Sequence, residues 1–151
     1  MASEWIRSRH ASYLERVKRE AQELEWRRSA EANCPALFEE LQKQIADDVE
    51  DYNRLFPEEC QASFRLLPGG FRVDMGSEAV FVKRPLGNTV IAVDHIASAL
   101  PDDHIASGKS VSSHFEVAPD ARGNMGYRDE SGIFLDAVQV SEQILDPVLC
   151  K

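Results

Sequence analysis

Between residues 35 and 56 the chain carries apolar side chains at Leu37, Phe38, Leu41, Ile45, Val49, Tyr52, Leu55 and Phe56. Steps of three and four place them along one stripe of a 3.6-residue helix. Glu39, Glu40, Lys43, Asp47, Glu50, Asp51 and Arg54 fall on the opposite side. The pattern therefore predicts an amphipathic helix over 35–56 with one flank for a core and one for water. Pro35 suits a first helical turn, where its missing N–H has no intrahelical partner, and Asn33 is placed to cap from just outside. Pro57 ends the run.

From Ser63 the period changes from helical to alternating. Runs at 63–67 and 71–75 flank Pro68-Gly69-Gly70, a hairpin signal in which proline presets one turn position and glycine tolerates positive φ. In the second run Phe71, Val73 and Met75 share a face predicted to be inward, and Arg72 and Asp74 share one predicted to be wet. Strongly β-forming runs follow at 79–84 and 89–94. A further alternating run at 114–117 puts Phe115 and Val117 inward and His114 and Glu116 outward. Short strands are expected at 124–128 and 133–135.

The last element predicted is a helix over 136–149. Asp136 with Gln139 three positions later forms a capping-box pattern, Val138, Ile144, Leu145, Val148 and Leu149 make the apolar side, and Pro147 would end or kink it. Its Val140-Ser141-Glu142 and Ile144-Leu145 with Pro147-Val148-Leu149 resemble the tail of small bacterial proteins, a resemblance that implies no catalytic residue. A second, narrower helix is predicted at 4–32, with Ile6, Leu14, Val17, Ala21 and Leu24 as its stripe. Glu15 with Arg19, Arg16 with Glu20 and Glu23 with Arg27 sit four apart, and such pairs support an exposed helix by ~0.3–0.5 kcal/mol each. They do not hold a long helix alone, so residues 1–33 are expected to pack on the body or to self-associate. Trp5 and Trp26 lie off the stripe as contact points for another chain.

The predicted fold class is α+β: N-terminal helices, the long amphipathic one at 35–56, on one face of an antiparallel meander sheet of five to seven strands, then a short C-terminal helix. Residues 34–151 form a single domain in this reading, ample at this size to bury a core.

Charge narrows the functional classes. The net −9 is unevenly spread: residues 1–33 carry seven Arg/Lys against six Glu, a balance of +1, and the remainder ten basic against twenty acidic residues, a balance of −10. An acidic body argues against nucleic acid, whose binding runs on counterion release by clustered Lys and Arg. The opening MASEWIRSRH has no apolar signal-peptide core, and no window approaches the ~18 apolar residues of a membrane span. Cys34, Cys60 and Cys150 are an odd count without metal-ligand spacing, so free thiols in a reducing cytoplasm are expected.

Candidate chemistry is concentrated in a repeated pentapeptide, Asp94-His95-Ile96-Ala97-Ser98 and Asp103-His104-Ile105-Ala106-Ser107. With His114 it gathers three of the four histidines within twenty-one residues. Imidazole and carboxylate are suitable ligands for zinc or another transition ion, and a His beside an Asp can serve as an oriented base. Asp94, His95, Asp103, His104 and His114 are the candidate metal residues; the competing reading is a solvated connection between strands, which is also a recognition surface.

Asp47-Asp48-Val49-Glu50-Asp51 resembles the magnesium-binding string of prenyl-diphosphate enzymes, but those need a longer all-helical chain, and a solvated charge face accounts for it. Ser107-Gly108-Lys109-Ser110 ends like a phosphate loop, yet Asp103 stands where its first glycine belongs. No cysteine has a base in a recognisable setting and no nucleophile elbow occurs. No cofactor is expected. The leading expectation is a non-enzymatic protein-interaction module binding another protein or itself; the alternative is a metal-binding protein or metal-dependent enzyme using the histidine–aspartate segment.

Overall fold

In the computed structural model, which describes residues 3–59, 61–97 and 110–149, one helix dominates the molecule. Helix α1 runs without a break over Glu4–Leu55, 52 residues, or about 78 Å at the usual rise. The two helices expected at 4–32 and 35–56 are therefore one. Pro35 lies inside it rather than at a start, and Asn33 caps nothing: its side-chain amide donates to the Ser29 carbonyl four residues back, at 2.7 Å. Proline removes one helical hydrogen bond, but Ala30, Cys34, Phe38 and Leu41 are all buried on one side. Packing on both sides of Pro35 keeps the helix going where local propensity would stop it. At the far end the Phe56 N–H closes the last turn on the Tyr52 carbonyl, and Pro57 follows.

The sheet consists of β1 (Ala62–Leu67), β2 (Gly70–Met75), β3 (Glu78–Lys83), β4 (Val90–Ile96), β5 (Ser110–Pro119), β6 (Met125–Arg128) and β7 (Phe134–Leu135). The seven strands pair antiparallel in sequence order. Helix α2 (Ala137–Leu149) closes the described chain. Both helices cover one face, where Phe71, Val73, Val80, Val82, Ile91, Val93, Phe115 and Val117 meet the buried stripe of α1 and Val140, Ile144, Leu145 and Val148 of α2. This is the predicted architecture, a helix-covered antiparallel meander at the upper end of the expected strand count.

Side-chain bonds tie the layers together. The Asn53 carboxamide both donates to and accepts from the Ala62 backbone at 2.8 Å, fixing the first residue of β1 to the last turns of α1. Tyr127 on β6 donates its hydroxyl to the Leu37 carbonyl; burial, with Glu40 and Cys34 nearby, pushes its phenol above the ordinary range, so it stays a donor. Ser141 of α2 donates to Asp48 of α1. The capping box is formed in both directions, Gln139 N–H to Asp136 at 2.8 Å and Asp136 N–H to Gln139 at 2.9 Å. In α2 one apolar position differs from expectation, and of the two effects expected of Pro147 the ending does not occur. Val138 is 56% exposed, because the buried stripe runs through Ala137, Val140, Ser141, Ile144, Leu145 and Val148, and Pro147 sits inside the helix without ending it.

The face turned away from the helices is less wet than the alternation suggests. Arg72 is only 1% exposed. Its guanidinium pairs with Asp74 and lies over the Phe81 ring at 4.8 Å, so an ion pair and a cation–π contact replace the lost water. The alternation sets which face a side chain takes; what covers that face is set by residues far away in sequence.

Candidate functional site

The first five turns of α1 stand clear of the domain, and the next two run exposed beside it. Every residue from 3 to 28 is exposed, Ser29 is half-buried, and burial begins at Ala30. Within that arm Trp5, Ile6, Tyr13, Leu14, Val17, Leu24 and Trp26 remain 42–62% exposed. Single exposed apolar side chains are ordinary, but seven large ones on 26 residues are a surface of the kind that partners bury. Close to the domain, Glu23, Trp26, Arg27 and Ala30 border a cavity of about 240 Å³ against β5 and β6. Beyond it the arm's ring contacts among the described residues are helix-local, Arg9 over Trp5 and Arg16 over Tyr13, both at 5.6 Å. No helix among the described residues is long and apolar enough to cross a membrane.

The histidine–aspartate segment is divided by the sheet. His95 pairs with Val80 and Val111 in register and shares the helix-covered face with Val93. It lines a cavity of about 450 Å³ between β3–β5 and the end of α2, together with Ser113, Gln143, Ile144 and Pro147. Among the described residues its buried Nε2 has no hydrogen-bond partner. Asp94, the next residue back, takes the opposite face, where Ser112 Oγ donates to it at 2.7 Å and Lys83 Nζ lies 3.0 Å away. By register His114 belongs to that opposite face, yet at the edge of β5 it borders the same cavity as His95, and its Nδ1 and backbone N–H each lie 3.0 Å from Glu130 Oε1. Asp103 and His104 lie outside the described residues. Among the described residues no group of three or more His, Cys, Asp or Glu side chains is arranged to hold a metal ion.

Asp94 is nevertheless electrostatically distinct. Burial raises its carboxyl, but hydrogen bonds from Ser112 and Lys83 and the Lys83 charge outweigh that and hold it below the ordinary range. A depressed folded pKa adds stability above the unfolded value near pH 4, lost as pH falls through the folded one. Lys83 is 61% exposed, so Asp94→Asn is expected to cost about 0.5–1 kcal/mol at pH 7. The gap to wild type should narrow by pH 3; urea unfolding at both values checks it, and a constant gap would contradict the assignment.

The remaining candidates are quiet. Asp47, Glu50 and Asp51 are exposed on α1, Asp51 pairing with Arg54 at 2.9 Å, while Asp48 is taken up by Gln44 and Ser141. Cys34 is a free thiol at the core boundary, and burial pushes its pKa up, away from the thiolate a nucleophile needs. Cys60, Cys150 and the segment that resembles a phosphate-loop end, apart from the backbone of Ser110, lie outside the described residues. An apolar groove of about 520 Å³ crosses the uncovered face between Leu67, Phe81, Leu86 and Ile96, floored by Gly69 and Gly70. Sequence spacing alone did not indicate this groove, because its walls come from three hairpins. Compared with known proteins, the chain matches no family model, no curated protein and no solved structure.

Proposed function

We propose that this protein is a non-enzymatic interaction module whose docking element is the N-terminal arm of α1 and whose partner is a second copy of the chain. One observation carries the reading: seven large apolar side chains are exposed on a helical segment, residues 3–28, that its own domain does not cover. The packed half of α1 nucleates the arm, but among the described residues no tertiary contact buries its apolar side chains, and its charge pairs supply only a few tenths of a kcal/mol each. A partner helix buries the stripe and thereby holds the arm helical. The near-neutral arm suits this better than the body, whose balance of −10 repels a like copy. A reducing, cytoplasmic setting accords with the free thiol at Cys34.

Light scattering of the full chain tests the reading. Wild type is expected at twice the chain mass, and the double substitution Leu14→Asp, Leu24→Asp at the monomer mass with the strand signal of its circular dichroism unchanged. A monomeric wild type across the micromolar range would refute it.

A further inference from the structure

We infer that the two arms pair antiparallel, so that the assembly is a two-ended spacer carrying an acidic α+β domain at each end; this rests on the self-association proposed above. Leu14, Val17, Ala21 and Leu24 follow one another at steps of three, four and three, a seam of the kind that helices pair along. At 100° per residue this seam is turned roughly 110° around α1 from the Cys34, Phe38 and Leu41 stripe that meets the sheet. A second helix can therefore lie along it without displacing the domain.

The seam itself does not choose an orientation. In parallel each residue meets its own copy; in antiparallel Leu14 meets the second copy's Leu24 and Val17 its Ala21, and both give four apolar layers. The flanks and the domains do choose. A parallel pair sets Glu20 against Glu25 on both sides and brings the two Arg28 side chains together, three like-charge contacts, relieved only by Tyr13 of each copy beside Lys18 of the other. An antiparallel pair has one Glu20–Glu20 and one Lys18–Lys18 contact at the dyad, and in exchange brings Tyr13 of each copy to Arg27 of the other. That pairing repeats the guanidinium-over-ring contact already present at Arg16 and Tyr13. The helix dipoles also run opposed.

The larger difference lies in the bodies. Residues 34–151 carry a balance of −10, and a parallel pair places two such domains side by side. In the antiparallel register the domain centres, near residue 42 of each α1, stand about 70 Å apart along the rod. That is many times the screening length of about 8 Å at physiological salt.

Cysteine cross-linking of the full chain reads the orientation. Lys18 lies beside its own copy only at an antiparallel dyad, and Leu24 beside its own copy only in a parallel pair. Under mild oxidation Lys18→Cys is expected to give a disulfide-linked dimer at several-fold the yield of wild type, which carries Cys34, Cys60 and Cys150, with Leu24→Cys at the wild-type level. The reverse pattern, or equal linking of both, would overturn the antiparallel arrangement and leave self-association standing. A monomer mass by light scattering with neither variant linking would overturn both.

Discussion

Phe38→Ala is expected to lower the unfolding free energy by about 3–5 kcal/mol. Phe38 has no exposed surface and is one of the points at which α1 is held to the sheet. Its ring lies 5.7 Å from the Phe71 ring on β2, and the Arg84 guanidinium covers it at 4.8 Å. Truncation removes the aromatic burial and leaves a hole that three separate elements would have to close, which is why the cost exceeds simple transfer. Against a typical total of about 5–15 kcal/mol, this is a large share. Urea unfolding with an unchanged slope measures it, and Phe38→Leu, which fills most of the space, should recover more than half. A loss below about 1 kcal/mol would mean that the long helix does not depend on this contact.

Gly70→Ala is the second large effect. Gly70 opens β2 directly after the Pro68-Gly69 turn and pairs with Leu67 on one side and Lys83 on the other. A Cβ at this position would fall 2.0 Å from the Val82 carbonyl oxygen and 3.0 Å from its carbon, both backbone atoms of β3. Its φ of +154° is itself one that side chains rarely adopt. Nothing at the contact is a flexible side-chain end that could swing away, so β2 and β3 would have to part where Gly70 faces Lys83. The expected loss is about 3 kcal/mol or more. Gly69→Ala is the control, since a Cβ there meets nothing within 4 Å. Thermal unfolding of the two variants should differ by many degrees, and equal midpoints would contradict the close approach.

Both sites were legible to different degrees. The hairpin at Pro68-Gly69-Gly70 and the inward phase of Phe71 and Val73 follow from local rules, because a turn residue's φ and a strand's two-residue repeat depend only on neighbours in the chain. The Asp136–Gln139 box is readable for the same reason. The break expected at Pro35 was a local inference of equal quality, overturned by non-local packing: the buried run from Ala30 to Leu41 spans the proline. The alternation gives Arg72 its face but not its environment, since its burial depends on Asp74 and Phe81, one of them on the next strand.

The chemistry divides along the same line. Asp94, His95 and His114 stand out as a cluster in sequence, but neighbours along a strand alternate faces. Asp94 therefore went to Lys83 and Ser112, and His95 to the cavity beside α2. The exposed arm had only a weak mark, a narrow stripe between charges that fits a helix on its own domain as well as a helix between two chains. Periodicity is local: where helix gives way to strand, which residues share a face and where the chain turns are all written in neighbouring residues. The continuity of α1, the burial of Arg72 and the exposure of residues 3–28 come from contacts between segments distant in sequence, and no local pattern contains them.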